Sequence, residues 1–208
     1  VSCGLLNFET SAYANGTSFE FKDNFYEYRP GHGKMKFTRE VEHSHFEKYP
    51  NDAKIFLESF KENYPELCRN RNIIVIDNTR FKNPELDYSL RGHLGIHPET
   101  LRGIVESEHF GVTNAPLRRL RRDKPNLVIN VCRSGRHRSV GNAEAQRDPI
   151  QGILHGYEMT NVEVFHIHAE TDWNTLCDTD CLSCKLTSKA NRLNLAKAHD
   201  RLNGIIPS

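Results

Sequence analysis

Ile73 Ile74 Val75 Ile76 is an unbroken run of branched apolar residues that stops at Asp77, and a second apolar run, Leu127 to Val131, leads straight into Cys132. Short apolar runs of this kind, with no polar alternation, predict strands buried on both faces, as in a parallel sheet. Val162 to His168 (VEVFHIH) is read as a third strand. Between these runs the apolar spacing becomes helical. Pro50 Asn51 Asp52 opens a helix with Asn51 or Asp52 as its cap, and Ile55, Phe56, Phe60 and Tyr64 fall on one face before Pro65. A second helix is expected from Pro98 to Glu108, and a third from Ser139 to about Tyr157, interrupted at Asp148 Pro149. A fourth, amphipathic, runs from Thr187 to Leu202 with Leu193, Leu195, Ala196 and Leu202 among polar residues. Upstream, the alternation of Phe19, Phe21, Phe25, Tyr26 and Tyr28 with charged residues fits one or two strands, and core packing explains these rings better than base stacking.

Strands alternating with helices predict an α/β fold, a mostly parallel sheet with helices on both faces. Three parts are expected: an N-terminal extension over residues 1–48 packed on the core, an α/β domain over 49–170, and a cysteine-rich loop with a helix over 171–208. The 208 residues suit one moderately large domain. With 37% hydrophobic and 26% charged residues and a mean hydropathy of −0.64, the chain reads as polar and globular rather than disordered. A net charge of +1 excludes a protein that coats nucleic acid by bulk charge, so any basic surface must be local. No apolar run approaches the roughly 18 residues that span a bilayer, and the first residues lack the features of a signal peptide. An intracellular, cytoplasmic location without membrane partners is expected, with organelle targeting left open.

Cys132 Arg133 Ser134 Gly135 Arg136 His137 Arg138 Ser139 lies between the second strand and a helix. Its main-chain N–H groups can converge on one point at the helix start, which is an anion site. Gly135 permits a backbone conformation closed to other residues, Arg138 can grip a phosphate with two donors, and Ser139 can cap the helix. The spacing Cys-x5-Arg also matches the signature of cysteine-dependent phosphatases, with Cys132 as nucleophile and Arg138 as phosphate clamp. A thiol there would be activated by the helix dipole and the nearby arginines. Asp77 or Asp172 would supply the general acid.

Taken with the first strand, the loop resembles the C-terminal domain of the RapZ family of bacterial RNase adapters. The residues that carry this are Asp77 to Leu86 (DNTRFKNPEL), Leu90 to Gly95 (LRGHLG) and Val128 to Val140 (VINVCRSGRHRSV), in the family's order. Ser134 departs from the pattern, where the family prefers glycine. Over about 100 residues, Ile73 to His168, the resemblance implies an α/β domain that binds a phosphorylated ligand such as an amino-sugar phosphate, and that can bind structured RNA. It places Asp77, Arg80, Asn83, Cys132, Gly135, His137, Arg138 and Ser139 around one pocket, with Arg133, Ser134 and Arg136 completing the loop. The family's preceding ATP-binding domain has no counterpart, since no Gly-x4-Gly-Lys-Ser/Thr occurs.

Two further features lie beside this. Cys177, Cys181 and Cys184, with spacings x3 and x2, can converge on a zinc ion, with His168 as fourth ligand and His166 or His155 as alternatives. Such a site would be structural, stapling the loop to the C-terminal helix. Cys3 and Cys68 read as packing residues. Arg118, Arg119, Arg121 and Arg122, with Lys124, form a basic stretch that can extend the anion site, track an RNA backbone or be a solvated face. The expected function is binding of a phosphorylated small molecule, nucleotide or RNA at Cys132 to Ser139; the alternative is a phosphohydrolase. The sequence leaves the oligomeric state open.

Overall fold

The computed structural model describes residues 1–5, 42–84, 87–154, 162–167 and 181–206. Three strands, β1 (Ser2–Gly4), β2 (Asn72–Asp77) and β3 (Asn126–Cys132), form one all-parallel sheet in the order β1-β3-β2. The sheet is the α/β core that the apolar runs predict. Cα partners run from Asn72 and Asn126 to Asp77 and Val131 on one side of β3, and from Ser2 and Asn130 to Gly4 and Cys132 on the other. Gly4, Asp77 and Cys132 therefore end the three strands at the same edge of the sheet.

Successive side chains of a strand point to opposite faces, and the apolar runs fill both. Leu127, Ile129 and Val131 pack with Cys3, Phe56 and Phe60, so helix α2 (Pro50–Asn63) covers that face. Ile74 and Ile76 pack on the other with Leu101 and Ile104 of α5 (Pro98–Glu106), Ala145 and Ile150 of α7 (Arg138–Leu154), and Ala198 and Leu202 of α8 (Lys189–Asn203). The short helices α1 (His45–Lys48), α3 (Pro65–Cys68), α4 (Tyr88–Arg91) and α6 (Phe110–Asn114) occur in the connections.

Several boundaries differ from expectation, each for a local reason. α2 starts at Pro50, which suits the first helical position because its missing N–H has no partner there anyway. Asp52 is therefore not the cap; its carboxylate meets His45 Nε2 at 2.7 Å. α7 runs through Pro149 without the expected interruption. An interior proline costs about 3 kcal/mol, and burial of the adjacent Ile150, worth about 1.5–3 kcal/mol, together with Ala145 offsets it. The expected strand over residues 162–168 is reduced to one parallel bridge, His166 to Ser2, with Ser2 N bonded to Phe165 O and Ile167 N to Ser2 O. Ser2–Gly4 takes the place beside β3 instead. The strands expected around Phe19 to Tyr28, and Phe19, Phe21, Phe25, Tyr26 and Tyr28 themselves, lie outside the described residues. Among the described residues no helix is long and apolar enough to cross a membrane.

Candidate functional site

The loop from Cys132 to Ser139 sits at the carboxyl edge of the sheet and runs directly into α7, whose first amides have no partner within the helix. Gly135 has φ +79°, the left-handed region, and a Cβ there would stand 2.5 Å from Gly4 N. The loop is thus folded back onto the end of β1, and Leu5 N bonds Cys132 O at 2.8 Å. On its other side Gly95 N donates to Arg136 O at 3.0 Å, and the Gly95 backbone lies so close to the His137 carbonyl that a side chain would not fit. Two distant turns hold the loop closed between them.

Inside the loop the Cys132 sulfur accepts from Gly135 N at 3.3 Å and lies 3.2 Å from Ser139 Oγ. Cys132, His137 and Ser139 are buried, whereas Arg133, Ser134 and Arg136 are half-buried on the outer rim. Arg138 is buried too, but it is not aimed as a free clamp: Nη1 donates to Thr79 O at 2.9 Å and Phe81 O at 3.1 Å. The turn after β2 presents carbonyls without helical partners, and the guanidinium satisfies two of them.

Asp77, Arg80 and Asn83 are brought to the same edge, with Arg80 and Asn83 buried. Asp77 Oδ1 accepts from Thr79 N at 2.9 Å and Thr79 Oγ1 at 2.7 Å, while Oδ2 accepts from Phe46 N at 2.7 Å. A carboxylate committed in this way caps the turn and anchors α1. Arg80 pairs with Glu47 of α1, and its buried Nε has no hydrogen-bond partner among the described residues. Burial alone would raise the Glu47 carboxyl, but the Ser44 N–H and the Arg80 guanidinium outweigh it and hold it below the usual carboxylate range.

Beneath the loop lies a buried amide network that sequence reasoning missed. Asn142 Nδ2 reaches Asn78 Oδ1 at 2.6 Å, Asn114 Oδ1 at 3.1 Å and Asn130 Oδ1 at 3.2 Å. Gln146, one turn further along α7, donates to Asn114 Oδ1 at 2.6 Å and accepts from Asn130 Nδ2 at 2.7 Å. Each of the five side chains is at most 2% exposed, so the network links β3, the turn after β2, α6 and α7 within the buried interior. The i, i+4 pair Asn142 and Gln146 in an otherwise buried helix face was the legible signal.

A second cluster lies nearby. Cys184 Sγ and Cys181 Sγ stand 3.3 and 3.6 Å from His93 Nδ1, and the three ligand atoms lie within 4.8 Å of one another, so they could hold a metal ion. A tetrahedral ion with bonds of about 2.3 Å to sulfur and about 2.05 Å to nitrogen sets its S···N edges near about 3.6 Å. Two of the expected cysteines are thus confirmed as neighbours, while Cys177, His168 and His155 lie outside the described residues. His166 is not in the cluster; its ring nitrogens meet Ser2 Oγ at 2.7 Å and Glu144 Oε1 at 2.9 Å. His93 was missed as a ligand because it is 88 residues from Cys181.

The basic stretch lies away from the Cys132–Ser139 loop. Arg121 N bonds Asn126 Oδ1 and Arg119 Nη2 reaches Ile73 O, which places Arg118, Arg119, Arg121 and Arg122 at the opening end of β2 and β3. Seven residues of β3 separate that end from Cys132, about 20 Å at strand rise. Asp172 also lies outside the described residues. Compared with family models, with curated proteins and with solved structures, the chain gave no match.

Proposed function

We propose that the chain binds a phosphorylated small molecule or a nucleotide on the Cys132–Ser139 loop, as its resemblance to the RapZ C-terminal domain implies. The observation that carries this is a closed turn opening a 17-residue helix at the carboxyl edge of a parallel sheet, held shut by Gly4 and Gly95. Ligands of open α/β sheets bind at that edge, and helix-start amides favour anions. Arg133 and Arg136 on the rim supply the charge, and the buried Arg80 Nε at the same edge is a donor with no acceptor among the described residues. Titration calorimetry with inorganic phosphate, a hexose phosphate and a mononucleotide tests the reading. At least one binds, and the double variant R133A/R136A weakens it about tenfold or more with an unchanged urea midpoint. No heat from any of the three ends the proposal.

One observation favours the phosphohydrolase alternative: the Gly135 N–H and the Ser139 hydroxyl surround the Cys132 sulfur as they would a thiolate. Against it stand the burial of Cys132 and the commitment of Asp77. Release of nitrophenol from an aryl phosphate, lost in Cys132→Ser, would decide for the enzyme. RNA at Arg118 to Arg122 belongs to a separate surface, where Arg121 is already paired with Asp123; binding that is insensitive to salt removes it.

The ion best suited to one imidazole and two thiolates is zinc in a structural role, with Cys177 as the further ligand that the sequence offers. Protein purified without chelator then carries one equivalent, and His93→Ala loses it. Metal-free protein from such a preparation refutes the site.

A further inference from the structure

The metal cluster and the loop share a wall. His93 is followed by Leu94 and Gly95, and Gly95 N bonds Arg136 O while its backbone presses on the His137 carbonyl. From the other side of the cluster, Cys184 is buried against Leu94, Ile96 and Val140, and Val140 lies in the first turn of α7. Cys181 and Leu186 pack on the same group. Asn191 at the start of α8 donates to Ile96 O at 2.8 Å and Lys185 O at 3.0 Å, so the turn and the cysteine segment are also joined behind the cluster. Two ligands of the ion thus reach the phosphate loop by separate short routes, one through main chain and one through a packed apolar contact.

We infer that metal and phosphate bind cooperatively, the ion at His93, Cys181 and Cys184 fixing the Leu94–Gly95 turn that holds the loop in its anion-binding shape. The inference rests on the reading of the loop as a phosphate site. An ion that draws His93 and both sulfurs together removes freedom from the turn and from the 181–186 segment. The loop then has fewer alternative shapes to give up when an oxyanion binds. Two ligands that order the same segments favour one another without any direct contact. The effect must be reciprocal, because the four binding steps form a closed cycle.

The full chain, loaded with zinc or stripped by chelator, is titrated with inorganic phosphate and with whichever phosphorylated probe binds it best. Zinc affinity is measured in parallel by competition with a chromophoric chelator, with and without a saturating concentration of that probe. Stripping weakens the phosphate ligand on the order of tenfold, and the ligand tightens zinc by the same factor. Should the stripped protein unfold, the rate at which the folded, loaded protein releases zinc to excess chelator is read instead, and it falls when the probe is bound. Equal phosphate affinities in both forms, or a zinc affinity indifferent to phosphate, overturn the coupling and leave the phosphate site standing. A zinc-loaded protein that binds no phosphate overturns the site itself, and the coupling with it.

Discussion

Gly135 shows how much one residue decides. Its φ of +79° costs a residue with a side chain about 1–2 kcal/mol, and Gly4 N leaves no room for a methyl group. Gly135→Ala is expected to lose at least about 2 kcal/mol of stability in a urea titration and to abolish phosphate binding in calorimetry; an alanine variant that keeps both would show that the bend is dispensable. This glycine was legible in the sequence, because a tight turn between an apolar strand and a helix needs one. The direction of Arg138 was not. Its acceptors, Thr79 O and Phe81 O, come from a segment 59 and 57 residues away, and nothing in the local motif distinguishes an arginine that grips an anion from one that ties down a turn. Asp77 is the same case, an acid at a strand end whose occupation by Phe46 N depends on a helix that the sequence did not announce.

At the scale of elements, α7 carries both the end of the loop and two of the five side chains of the polar network under it. Asn142→Ala removes the partner of Asn78, Asn114 and Asn130 in a buried site, where an orphaned amide costs about 1–3 kcal/mol. The variant should lose about 2–4 kcal/mol in equilibrium unfolding, and a loss under about 0.5 kcal/mol would mean that the neighbours re-pair. Strands β2 and β3 and helices α2 and α5 were legible because their apolar spacing is strong and local, whereas α7 and α8 carry a weaker stripe interrupted by the buried amides Asn142, Gln146, Asn191 and Asn194. β1 was not, since Ser2, Cys3 and Gly4 carry no strand signal and acquire one only from Asn130, Val131 and Cys132 beside them. Residues 162–167, which do carry the signal, are left with a single bridge because that place is taken. The cysteine spacing disclosed two of the three residues that could hold a metal ion, yet the histidine that joins them belongs to a different turn.

For the whole molecule, acid should act at two places. The Glu47 carboxyl is held below its unfolded value near about 4.3 by the Ser44 N–H and Arg80, against the opposing effect of burial. Its contribution is fully present above that unfolded value and is lost as pH falls through the lower folded one. Because Glu47 is half exposed the effect is modest, and Glu47→Gln should flatten the stability profile in that acid window alone. Zinc held as proposed at His93, Cys181 and Cys184 should leave at a higher pH than the one at which Glu47 titrates, since such ligands must shed protons to bind a metal. A melting temperature followed against pH with and without chelator separates the two, and profiles that coincide would deny the cluster any share in stability. The pairing of Ser2 with Asn130 sets one more limit, on the order of assembly. A ribosome must deliver β3 before β1 has anything to lie against, and only then does Gly4 arrive to close the turn around Gly135. Contacts so remote in sequence form slowly, so the turn around Gly135 is expected to close late as the nascent protein folds.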